Sequence, residues 1–104
     1  MFIINGVLWR VVDVSPTHPV LRRQDGSLSV GACDNPTKTI YLSAALSGAF
    51  KRKVICHEVT HAAMFSYGVQ MTLAQEELVA DIVATFGDEV LDITNNLFYG
   101  IRGR

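Results

Sequence analysis

The sequence predicts an α+β domain in which a small, twisted antiparallel or mixed N-terminal sheet packs on two antiparallel helices. Three observations carry that prediction. β-Branched and aromatic residues dominate up to Ser43, a helical hydrophobic repeat takes over after it, and 104 residues leave room for one modest core. The expected layout is residues 1–43 mainly β, a helix over 47–67 and a second helical segment over 72–98, all in one domain spanning 1–104.

The elements follow in order. In "FIINGVLWRVVDV" the pair Asn5-Gly6 separates two β-rich runs. A two-residue hairpin turn needs positive φ at both central positions, which Asn and Gly adopt at least cost. "SPTHP" interrupts the pattern, and "RRQDGSLSV" sets Asp25-Gly26 before the alternating Leu28 and Val30, which predicts a second turn and strand. "DNPTK" reads as a loop and "TIYLS" as a short strand. Ser47 then stands as N-cap to a long helix that Gly68 stops. Lys51, Arg52 and Lys53 form a solvated face near its start, and the nearly all-apolar run beyond them predicts a central, buried helix. Thr72 and Gln75 have capping-box spacing, and Val79, Val83, Phe86, Val90, Ile93 and Leu97 recur at a helical period, the pattern of a core-facing stripe.

Composition excludes several classes. Apolar residues make up 49% and charged ones 18%, a folding composition without the charge excess of disorder. A net charge of -1 with scattered Lys and Arg gives no basic stripe for phosphates, so no nucleic-acid partner is expected. No run approaches the roughly 18 uncharged apolar residues of a membrane span. The first residues show neither a basic leader nor a small-residue cleavage site, so no membrane association and a cytoplasmic location are expected. Cys33 and Cys56 read as packing thiols and not as a disulfide.

The chemistry lies in "KVICHEVTHAAMFS", where His57, Glu58 and His61 interrupt an apolar helix. Ionisable groups removed from water need a compensating ligand or charge. At about 100° per residue, His57 and His61 fall about 40° apart on one face, one turn from each other, so both imidazoles reach a single ion. Glu58 falls about 60° to the side of His61, able to touch a bound water without ligating. This is the HExxH spacing, which places two neutral nitrogens on Zn²⁺ and a carboxylate base beside its open position. Such a site takes a third protein ligand, and a short turn at 67–72 would return the second helix beside the first. Glu77 is the expected ligand, because it shares a helical face with Asp81, Ala84 and Asp88 and is bordered by the small Ala80 and Gly87. Asp81, one turn later, is placed to accept the free N–H of a ligating imidazole.

"HEVTH" followed by "EELVAD" resembles the gluzincin metallopeptidases. The "TIYLS" strand, the short intervening loop and Glu77-x-x-Ala80-x-x-Val83-Ala84 look more like the ImmA/IrrE group, in particular its compact phage-encoded members. The resemblance covers residues 38 to 92. It implies a minimal zincin-like fold, zinc as cofactor with His57, His61 and Glu77 as ligands, and endopeptidase action on a protein or peptide substrate with Glu58 as general base and acid. It also implies strand-wise pairing of substrate with "KTIYLS", and a Tyr or His that donates to the oxyanion. Tyr41, Tyr67, Tyr99 and His18 are unranked candidates for that donor. The alternative is a zinc-stabilised, non-catalytic interaction or regulatory module associated with a phage or repressor.

Overall fold

The computed structural model describes residues 1–102 of the chain. A four-stranded mixed sheet and two helices form an α+β fold. Strands β1 (Phe2–Ile4) and β2 (Val7–Val14) make the expected hairpin, with Asn5 at φ 48° and Gly6 at φ 75°. Positive φ at both positions matches the turn to the right-handed twist of its strands. A 3-10 turn at Pro19–Leu21 follows, then β3 (Gly31–Asp34) and β4 (Thr39–Ser43). The spatial order is β1-β2-β4-β3, with β2 and β4 parallel and both outer pairs antiparallel. The sheet is therefore mixed, and β4 lies inside it.

The strand expected around Leu28 and Val30 is absent. The turn at Asp25-Gly26 forms, with Arg23 N–H donating to the Ser27 carbonyl, but only an isolated bridge joins Arg22 to Leu28. Ser29 explains the difference: its N–H and hydroxyl both donate to the Leu21 carbonyl, and the hydroxyl also reaches the Gly31 carbonyl. The segment is thus tied to the Pro19–Leu21 turn, and pairing with β4 starts only at Gly31.

Helix α1 (Gly48–Ser66) has Ser47 at its N-cap position, although the side chain makes no capping bond. It ends as its sequence predicts. Gly68 adopts φ 65° and donates to the Phe65 carbonyl, while Val69 N–H bonds the Met64 carbonyl, which satisfies the last carbonyls and reverses the chain. Thr72 and Gln75 form a reciprocal capping box at the start of α2 (Leu73–Arg102): Thr72 N–H donates to Gln75 Oε1 at 3.0 Å and Gln75 N–H to Thr72 Oγ1 at 3.2 Å.

The core lies between sheet and α1. Trp9, Ile40, Leu42, Val54 and Ala62 are its buried members. The Trp9 ring stacks between Phe2 and Phe65, and its Nε1–H donates to Ser66 Oγ at 2.8 Å. Asn5 Nδ2 donates to the Ser66 carbonyl, so the hairpin turn and the end of α1 are fastened together. Contrary to the all-apolar pattern, α1 buries one side: Val54, Glu58, His61, Ala62 and Met64 are buried while Ile55 is open to solvent.

Helix α2 departs most from expectation. Val83, Phe86, Val90, Ile93 and Leu97, expected in the core, are between 37% and 57% exposed. The side turned to α1 instead carries Glu77, Ala80, Asp81, Ala84 and Asp88, and among the described apolar side chains of α2 only Ala80 is buried. With 30 residues against 19, α2 also runs beyond the start of α1, giving an extent of 54 Å along the longest axis. Among the described residues, no helix is long and apolar enough to cross a membrane.

Gly31 lets β3 approach α1. A Cβ there would stand 2.9 Å from Val54 Cγ1 and 3.0 Å from Glu58 Oε2. Gly31→Ala should therefore lower stability by about 1–3 kcal/mol, because overpacking outweighs the smaller gain from a stiffer unfolded chain. Urea unfolding monitored by Trp9 fluorescence measures it.

Candidate metal centre

Two antiparallel helices build the site. Contacts between them run in opposite directions along the chain: Arg52 with Asp88, Cys56 with Val83, His57 with Asp81, and His61 with Glu76. Arg52 and Asp88 are well exposed, so that pair contributes little to stability. Closer to the loop, Ala80 is fully buried, and its small side chain lets the backbones approach where the histidines lie. Gly87 has no such part, since a Cβ there would meet only Val83 Cγ1 of its own helix, at 3.4 Å.

His57 Nε2 and His61 Nε2 lie 3.1 Å apart. The Glu77 carboxylate faces both, with Oε1 3.0 Å from His61 Nε2 and Oε2 3.3 Å from His57 Nε2. The outer ring nitrogens are held too: His57 Nδ1 is 3.0 Å from Asp81 Oδ1, and His61 Nδ1 is 2.7 Å from Glu76 Oε1. A carboxylate at Nδ1 keeps the proton on that nitrogen, so each Nε2 presents a lone pair inward. Two such lone pairs and a carboxylate, with donor atoms all within 4.8 Å, repel one another unless a cation lies between them.

Spacing supports the same fit. Nitrogen and oxygen ligands about 2.0–2.1 Å from a tetrahedral ion stand roughly 3.3 Å from each other, close to the separations found here. Three protein donors also leave one position of such an ion open. The group can hold a divalent metal.

Glu58 lies beside this cluster, 7% exposed, its carboxylate packed against Gly31 of β3. Burial pushes its carboxyl above the usual carboxylate range, against the opposing pull of His57 and His61. It lines the same cleft as His57, where Arg23, Ser29 and Gly31 form the facing wall. Cys33, at the back of the cleft, has its thiol pushed up to about 12 by burial and by nearby carboxylates, so it remains a protonated packing group.

The five residues singled out by spacing, His57, Glu58, His61, Glu77 and Asp81, thus meet in one cleft. Glu76 was not among them. Its signal is the antiparallel order itself, since pairing Asp81 with the earlier histidine places an earlier α2 acid beside the later one. None of Tyr41, Tyr67, Tyr99 and His18 lines the cleft, and His18 is engaged as cap of the 3-10 turn through Nδ1 and Val20 N–H. Arg23, which spacing did not mark, is the cation that lines both parts of it.

The chain matches no family model, no curated protein and no solved structure.

Two outcomes are expected. In equilibrium titrations with Zn²⁺, His61→Ala and Glu77→Ala should abolish stoichiometric uptake, whereas Glu76→Gln and Asp81→Asn should weaken it by about 10–100-fold. In the metal-free protein, the raised Glu58 carboxyl favours folding in full below its ordinary value near 4.5, and that contribution disappears as pH rises through the higher folded-state value. Thermal melts of metal-free wild type should therefore fall with rising pH across that window more steeply than those of Glu58→Gln.

Proposed function

We propose that the protein is a zinc-dependent metallo-endopeptidase with a minimal zincin-like fold, acting on protein or peptide substrates. The observation that carries the reading is the convergence of His57, His61 and Glu77 on one point with a buried carboxylate, Glu58, beside it. The resemblance of "HEVTH" and "EELVAD" to the gluzincin pattern, and to ImmA/IrrE-like proteins in particular, supports the same reading. A bound zinc ion supplies Lewis acidity, which polarises a carbonyl and brings the pKa of water towards neutrality.

The chain's own residues supply the remainder. Asp81 and Glu76 fix the tautomers and ring orientations of His57 and His61, so the inward nitrogens are ready before any ligand binds. Of the carboxylates that line the cleft, Glu58 and Asp25 pair with neither imidazole, and only Glu58 is buried, Asp25 being exposed and bonded to Ser27. Its raised affinity for protons suits a group that takes a proton from attacking water and returns it to the leaving amine. Arg23 offers positive charge to an oxyanion developing in the cleft.

Substrate pairing with "KTIYLS" does not suit the topology, because β4 is bonded to a strand on each side. Of the two edge strands, β1 and β3, it is β3 whose first residue, Gly31, lies against Glu58. An extended peptide added along β3 would carry its backbone past Glu58 and gain main-chain hydrogen bonds with little demand on side chains.

The test is hydrolysis of an unstructured, internally quenched peptide library by zinc-loaded protein. Glu58→Gln should retain the metal and lose about 10²–10⁴-fold in rate. Equal zinc uptake by both proteins, with neither cleaving any member, would favour the non-catalytic module instead.

A further inference from the structure

We propose that the exposed apolar stripe of α2 is a self-association surface, covered in solution by the same stripe of a second copy of this chain. Val79, Val83, Phe86, Val90, Ile93 and Leu97 alternate spacings of four and three residues. Over this length the spacing holds the stripe on one side of α2, so a single partner helix could cover it from Val79 to Leu97.

The stripe is not the side that α2 uses at home. Counting about 100° per residue, its centre lies roughly 150° around the helix from the side that carries Glu77, Ala80, Ala84 and Asp88. Helix α1 occupies that second side, through His57 to Asp81 and Arg52 to Asp88. A second copy can therefore lie on the stripe without displacing α1 or entering the metal cleft.

Charge placement permits a second copy on the stripe. The residues flanking the seam are Ile82, Glu89 and Asn96 on one side and Gly87 and Thr94 on the other, Ala80 being buried against α1. An in-register parallel pair sets Glu89 opposite Thr94, so no like charges meet. Glu89 is the sole charge available to select a partner of opposite sign. Asp88 and Asp92 fall on outer positions of the repeat.

Area agrees with this occupant. Covering five half-exposed seam residues, Ile82 and the helix between them removes on the order of 700 Å² per copy from water, near the roughly 800 Å² per partner of a stable interface.

The experiment is sedimentation equilibrium of the full chain over a dilution series, metal-free and metal-loaded, with circular dichroism to confirm folding. Wild type should reach twice the chain mass of 11.4 kDa. Val90→Glu, and Leu97→Glu one repeat further from the domain body, should each raise the dissociation constant by about 100-fold or more, because an unpaired charge is placed in the seam. Thr85→Glu, off the seam, should leave it unchanged. A wild-type mass of 11.4 kDa at every concentration, with or without binding to lipid vesicles, overturns the proposal, and so does a dimer that survives both seam variants.

Discussion

Three electron-pair donors meeting between two helices impose the constraint on which the rest of this structure depends. His57 and His61 come from one turn of α1 and Glu77 from the first turns of α2, with their facing atoms 3.0 to 3.3 Å apart. Without a cation that arrangement is repulsive. With one, it becomes a clamp between elements that otherwise share little apolar surface, because the side of α2 turned to α1 is built from carboxylates and alanines and buries only Ala80 completely. Apolar burial on that side of α2 is limited to Ala80 among its fully buried side chains. The carboxylate–imidazole contacts and the shared ligand position take its place, so metal affinity in such a site is also folding free energy.

That division of labour explains which parts of the molecule can be read from the amino acids alone. Local signals with a single geometric solution were legible. Asn5-Gly6 forms its hairpin turn, Thr72 and Gln75 close their capping box, and Gly68 reverses the chain. His57, His61, Glu77 and Asp81 were legible for the same reason, since helix geometry converts their spacing directly into direction. The residues around Ser29 were not, because a hydroxyl bonded to the Leu21 carbonyl competes with strand pairing and leaves alternating Leu28 and Val30 outside the sheet.

The apolar stripe of α2 was legible as a pattern and misread as to its partner. Hydrophobic periodicity reports that a face is to be covered and is silent on what covers it. Two faces of α2 competed for α1, one apolar from Val79 to Leu97 and one bearing Glu77 and Asp81, and the polar face won. The polar face supplies what a buried histidine pair needs: leaving His61, at 6% exposure, without Glu76 and Glu77 would strand a polar group at a cost of about 1–3 kcal/mol, whereas the apolar stripe leaves area that another chain can cover.

Position along the chain then ties these features into one architecture. The histidines lie at the loop end of the helix pair, where the reversal at Gly68 and the capping box at Thr72 fix the separation of α1 and α2 over a short path. Towards the opposite end that control weakens: Arg52 and Asp88 form only an exposed pair, and α2 continues past the start of α1. The contacts that tie the two helices are therefore concentrated around the cleft, where the donor atoms meet. A partner laid on the apolar seam would cover the outer side of α2 without touching His57, Glu58 or His61, because the two faces look away from each other. The helix can accordingly serve as a ligand-bearing wall on one side and as an attachment rail on the other.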